Sequence, residues 1–326
     1  MPEKLRTLLL IVITCLMLVP SAQAVKTLNV ITSLSSSDPM YDGLVEFKKR
    51  VETGSDGALS VRIFIGSQLG NDNDILEQAM LGANVAVLVD GGRLAVYQPQ
   101  LGILGAPYLV DDYRQLNQLT GSDLFASWAQ KLAHENKLHI FAFNWWQGAR
   151  HLLTQKPVTG PDDLSGVRMR TIGAPVWIET IDALGATPTP LAWAEVYSGL
   201  QQQVIDAAEA QFTGMWGARL YEVITHVTKT GHIQLISGLV GSEAWYQSLH
   251  RNEKRLVDEA AAAAGLFASE QVRQAEINIE AALTEQGIVI TQPDKSPFRR
   301  ATEQVYSKLG YAKLYRDVQA FLNGGQ

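Results

Sequence analysis

Between residues 27 and 90 the chain alternates short β-prone runs with amphipathic helical stretches, and this rhythm restricts the fold more than any other feature. Residues 27–32 read as a strand, 41–53 as a helix with one apolar face, and 58–65 as a second strand. A helix over 73–81 follows, then a third strand over 85–90 that runs into Gly91-Gly92. A βαβαβ series implies a parallel sheet with helices on both faces. Ligands of such sheets sit at the carboxyl ends of the strands.

The αβ pattern resumes later with a strand over 167–172, helices over 174–184 and 193–202, and a strand over 207–211. The length of 326 residues suits two such units, at roughly 150 residues per domain. Between them, 111–136 reads as helical with a break at Gly121-Ser122-Asp123, where Ser122 or Asp123 can cap the second piece. A strand over 137–146 and a short one over 151–154 come next, so crossings between the halves are expected near 140–155 and 205–230. Residues 252–286 are interrupted only by Gly265. As one helix they would extend about 50 Å at about 1.5 Å per residue. Leu256, Ala260, Ala263 and Phe267 follow a heptad, but Glu270 and Gln274 end it. A helix bracing two domains therefore fits better than a coiled coil. Helices over 297–309 and 312–322 close the chain, and no internal repeat appears.

The chain opens with Lys4 and Arg6, an apolar run from 8 to 19, and Pro20-Ser21-Ala22-Gln23-Ala24. These are the parts of a secretory signal peptide, with cleavage expected after Ala24. The 12-residue apolar run is short of the roughly 20 needed to span a bilayer. Cys15, the only cysteine, lies inside it. The remaining 302 residues carry −7 rather than −6, because one acid, Glu3, leaves with two bases. A chain of that charge is no general nucleic-acid binder, and its lack of thiols excludes a disulfide framework or a cysteine-built metal centre.

The residues offer little to an enzyme reading. No two of the six histidines stand four apart on one helix face. No nucleophile elbow, phosphate loop or dinucleotide fingerprint appears. His226 and His232, flanking a strand-like stretch, read as structural. Binding chemistry is better represented. Trp145, Trp146, Trp177, Trp193 and Trp216 gather five of the seven tryptophans around the expected crossings, where they either clamp a small organic ligand or pack the core. Arg150 and Arg170 lie after and within strands, and each presents a fork suited to a carboxylate.

Specific motifs then appear at Gln68-Leu69-Gly70, at Asp163-Leu164-Ser165-Gly166-Val167-Arg168-Met169-Arg170, and over 184–210 as LGATPTPLAWAEVYSGLQQQVIDAAEA. At these spacings the chain resembles the DctP family, the solute receptors of tripartite ATP-independent periplasmic (TRAP) transporters. The resemblance spans essentially everything after the leader. It implies an α/β, two-lobed periplasmic-binding-protein (Venus-flytrap) fold with crossing strands and a long helix bracing both lobes. The divisions it suggests are 1–24 signal peptide, 25–145 lobe 1, completed by part of the C-terminal region, 146–235 lobe 2, and 236–326 strand return, bracing helix and C-terminal helices.

Carried over residue by residue, the resemblance makes Arg170 the carboxylate-gripping arginine and Arg150 the second arginine of some members. Trp193 falls where an aromatic meets the ligand, and Asp90 where some members carry a pocket carboxylate. Asp72 and Ser33 are further matches on the first lobe. Many members have Gly-Gln-Glu-Asn where this chain has Ala207-Ala208-Glu209-Ala210, so a ligand-bonding asparagine is replaced by Ala210. Glu209 remains, and Gln211 can supply the amide only through a bulge or loop, since adjacent strand residues face opposite sides. The expected protein is a monomeric periplasmic receptor, needing no cofactor and binding no nucleic acid. It would deliver a small carboxylate-bearing solute to the small and large membrane subunits of a TRAP permease. A sensor for a kinase or chemoreceptor and a secreted hydrolase are the competing readings.

Overall fold

The computed structural model describes residues 25–324. The expected leader, with Cys15 and the cleavage site, lies outside them. The opening alternation folds as its periodicity requires: β1 (Lys26–Ile31), α1 (Pro39–Gly54), β2 (Leu59–Phe64), α2 (Asp72–Met80) and β3 (Val85–Asp90). Strand β1 pairs in parallel with both β2 and β3. Asp38 caps α1 by accepting from the Met40 N–H at 2.9 Å. Asn71 and Asp74 form a capping box on α2, satisfying donors the helix cannot satisfy itself.

After β3 come a four-residue helix α3 (Gly91–Leu94), a 3₁₀ turn over Pro99–Gly105, α4 (Tyr113–Thr120) and α5 (Asp123–Asn136). Ser122, rather than Asp123, caps α5, its hydroxyl accepting from the Phe125 N–H at 3.3 Å. The next segment departs from the sequence reading. The two strands expected over 137–146 and 151–154 are one 17-residue strand, β4 (Leu138–Thr154). Its register shifts four times, one shift falling between Trp146 and Gly148, where Gly148 takes φ +114°.

The second half holds β5 (Arg168–Thr171), α6 (Pro175–Ala183), β6 (Thr187–Pro190), α7 (Val196–Gln201), β7 (Ala207–Ala210) and α8 (Phe212–Gly217). The Thr-Pro-Thr-Pro strand β6 was not expected. Proline is tolerated at a sheet edge, and β6 is the edge strand beside β5. The helix expected over 193–202 divides into a 3₁₀ turn at Trp193–Glu195 and α7.

β8 (His226–Ser242) is the second crossing, displaced from the expected 205–230 because β7 and α8 still belong to the second half. The sheet order is β2-β1-β3-β8-β4-β7-β5-β6. One end of β8 pairs with β3, from Ala86↔Gly241 to Asp90↔Ser237. The far end of β4 pairs with β7 at His151↔Ala210. Two long antiparallel strands thus carry the chain from one set of parallel strands to the other. The expected divisions at 145/146 and 235/236 fall inside β4 and β8.

The rest comprises α9 (Glu243–Gln247), α10 (Arg251–Glu285), β9 (Val289–Thr291), α11 (Ser296–Lys308) and α12 (Ala312–Gly324). Helix α10 runs unbroken through Gly265. It buries Val257, Ala264 and Val272 in the core built on α1 and β1, and Leu283 in the core built on β7 and α8. One helix therefore braces both halves. No helix among the described residues is long and apolar enough to cross a membrane.

Candidate functional site

The carboxyl ends of β1, β3, β5 and β7 open onto one cleft, and its polar lining comes from the residues just at or past those ends. Thr32 and Ser33 follow β1, Asp90 ends β3, Arg170 is the third residue of β5, and Gln211 follows β7. Gln147 and Arg150 enter from β4, and Asp72 and Arg93 come from α2 and α3. The cavity they enclose is small, about 50 Å³, below the usual volume of a pocket holding a small organic ligand.

Arg170 is 1% exposed. Its Nε donates to the Leu191 carbonyl at 3.0 Å, and its Cζ lies 5.3 Å from the Trp193 ring centre. Burial pushes its pKa down to about 9, with Arg150 and Arg93 adding to the effect and Glu209 and Asp72 opposing it. No carboxylate among the described residues forms an ion pair with it. A buried guanidinium without a counterion is costly unless an anion completes it, so this group is set to receive one.

Arg150 is handled differently. Its Nε pairs with the Glu209 carboxylate, its Nη2 donates to the Glu209 carbonyl, and its Nη1 donates to Gln211 Oε1 at 3.0 Å. Trp177 lies 4.8 Å below the guanidinium and donates its indole N–H to Asp90 Oδ1 at 3.1 Å. Asp90 also accepts from the backbone N–H of Arg93 at 3.0 Å and from its Nη1 at 2.7 Å. Arg93 Nη2 then reaches Asp72 Oδ2 at 3.2 Å. Burial works against the Arg93 charge, but Asp72 and Asp90 outweigh it and hold its pKa above the usual value. Burial raises the Asp72 pKa against the pull of Arg93.

Of the residues singled out from sequence, Arg170, Arg150, Trp193, Asp90, Gln211, Asp72 and Ser33 line the cleft together. Two do not. Trp146 stacks on Tyr113 with ring centres 4.3 Å apart and donates to Gln234 Oε1 at 3.1 Å, inside the core that includes α1 and α10. Glu209 is fully buried behind Arg150 and holds it rather than facing the cleft. Trp145, Trp177 and Trp216 also pack the protein rather than line the cleft.

The Ala210 substitution takes on a different meaning. Ala210 faces an apolar cluster with Leu153 and Phe212, whereas Glu209 and Gln211, two apart, both turn toward Arg150. Gln211 lies past the strand end with extended φ −81°, ψ 160°, so it supplies an amide to the cleft without any bulge. Arg93, Gln147 and Ser237 also line the cleft, and no motif in the sequence marks them. Arg93 stands three residues after Asp90, a spacing that brings the two together once Asp90 is recognised as a helix cap. Gln147 was masked by the register shift at Gly148, which breaks simple alternation along β4.

With this geometry established, comparisons identify its relatives. The family described as bacterial extracellular solute-binding protein, family 7 (DctP) matches residues 31–313. A TRAP periplasmic solute-binding protein from Escherichia fergusonii, solved as an apo open structure, is 43% identical with a TM-score of 0.81, covering 91% of this chain and 99% of that one. One from Ochrobacterium anthropi with bound L-fuconate is 30% identical with a TM-score of 0.89, covering 92% of this chain and 100% of its own. The sialic acid-binding periplasmic protein SiaP of Vibrio cholerae is 25% identical over 288 residues, 88% of this chain and 89% of SiaP.

Proposed function

Since this chain belongs to the bacterial extracellular solute-binding proteins of family 7 and is a periplasmic solute receptor of a TRAP transporter, we propose that Arg170 grips the carboxylate of its organic-acid solute. The observation that carries the assignment is the guanidinium itself: buried, positioned by Leu191 and Trp193, and without an ion-pair partner among the described residues. An incoming carboxylate supplies the missing charge through a two-pronged hydrogen bond, strengthened as water leaves the cleft. Arg150, already bound to Glu209, contributes a fixed edge of the site, and Gln211 and Gln147 contribute amides.

Relatives carry ligands of the right kind, L-fuconate in one solved structure and sialic acid by the description of another protein. Both are polyhydroxy acids. The ligand-bound neighbour superposes better than the open apo one despite its lower sequence identity, which supports reading the present cleft as close to its closed form. Opening would be a hinge motion of two lobes about β4 and β8, with α10 spanning both. In this reading the mature receptor begins after Ala24, acts as a monomer in the periplasm and hands its solute unchanged to the permease subunits.

A thermal-unfolding screen with L-fuconate, L-galactonate, D-glucuronate and sialic acid tests the assignment. A ligand at a hundred times its Kd stabilises by about 2.7 kcal/mol, a shift of several degrees for a chain this size. At least one acid should raise the wild-type Tm, and Arg170→Ala should lose that rise. No shift with any acid, or an equal shift in Arg170→Ala, would overturn the assignment.

A further inference from the structure

The charges around the cleft form one coupled set, and they are unevenly paired. Arg150 and Glu209 neutralise each other. Arg93 is shared by two carboxylates, Asp72 and Asp90, leaving that wall one negative charge in excess. Arg170 stands alone as the positive pole. Asp72 and Arg170 sense each other across the space, and Arg93 and Arg170 both sense Glu209. The cavity is therefore neutral in sum but polar from end to end, with Arg170 at one pole and the Asp72–Arg93–Asp90 wall at the other.

Building on the placement of a carboxylate at Arg170, we propose that the receptor selects polyhydroxy acids bearing a single carboxylate and rejects those with a second carboxylate at the far end. Asp72 is the residue that sets this limit. A carboxylate on Arg170 completes the one cation of the cleft lining that has no ion pair among the described residues. A second carboxylate would meet a wall that already holds more negative than positive charge, and its water would have to be removed with no donor charge left to replace it. Hydroxyl groups meet a better reception. The Asp72 carboxylate can accept from them, and Ser33, Ser237 and Gln147 offer neutral polar partners nearby. Like-charge rejection of this kind provides specificity without tighter binding of the preferred ligand.

Calorimetric titration with matched pairs tests the inference: D-gluconate or D-glucuronate against D-glucarate, and L-galactonate against galactarate. For any pair whose single acid binds wild-type protein, the double acid should bind at least about tenfold more weakly. In Asp72→Asn the wall loses its excess charge, and the ratio should fall toward one. A double acid binding wild type as tightly as its single-acid partner overturns the inference while leaving Arg170 as the carboxylate grip. An unchanged ratio in a folded Asp72→Asn protein removes Asp72 as its source. If neither member of any pair binds, the sugar-acid reading fails and this inference with it. The wild-type comparison decides the matter even if the variant does not fold.

Discussion

His151 follows Arg150 on β4, is 6% exposed, and accepts a hydrogen bond from the Gly231 N–H on its Nδ1 at 3.1 Å. That bond requires an unprotonated Nδ1. Burial pushes its pKa down to about 3, with Lys229, Lys295 and Arg150 adding to the effect. His232 is shifted in the same direction, chiefly by burial and by Arg150. At these two histidines the unfolded chain binds more protons than the folded one over the range from about pH 3 to 6.5 that His151 spans, so their contribution to stability is complete above 6.5 and is lost as pH falls. At pH 5 the His151 contribution is a loss of about 2 kcal/mol. Chemical denaturation at pH 7.5 and pH 5 should show that lowering the pH costs wild type more stability than it costs His151→Gln. Equal losses in the two proteins would contradict the assignment. At this scale the sequence was informative where a residue type alone carries chemistry, as with Arg150 and Arg170. It was silent on pairing, because Glu209 behind Arg150 and Arg93 between two aspartates are products of strand register and helix capping.

At the scale of elements, Trp145 shows how the bracing helix is seated. The indole is fully buried between two glycines. A Cβ at Gly43 on α1 would lie 2.7 Å from its Cζ3, and one at Gly265 on α10 would lie 2.8 Å from its Cδ1 and 2.3 Å from Asn144 Oδ1. Gly265 is thus retained for close approach of α10 to β4 and not as a helix break. Alanine there gains about 1 kcal/mol of helix propensity, against about 1–3 kcal/mol for forcing a methyl group into a packed core. Gly265→Ala should therefore lower the Tm, and a Tm equal to or above wild type would refute the close-packing account. Elements set by local periodicity, β1 through β3 and α10, were legible in the sequence. β4 read as two strands because its bulges disrupt alternation, and β6 was hidden by its prolines.

The whole molecule is acidic, −6 over the full sequence, yet it concentrates a positive pole in the cleft. Charge distribution, more than net charge, governs how an anion is drawn in and oriented. The two long strands and α10 connect the halves whose strand ends furnish opposite walls: Ser33, Asp72, Asp90 and Arg93 on one side, Arg170, Trp193 and Gln211 on the other. Separating the halves would part those walls, so capture and closure are one event in this account. The family motifs carried this architecture at long range, whereas the polarity of the cavity emerged only once both walls were placed. A crystal structure of the receptor with a bound sugar acid tests the central claim most directly. The account predicts the ligand carboxylate within hydrogen-bonding distance of the Arg170 Nη atoms, with hydroxyls toward Asp72. A carboxylate held at Arg93 with Arg170 touching nothing of the ligand would contradict it.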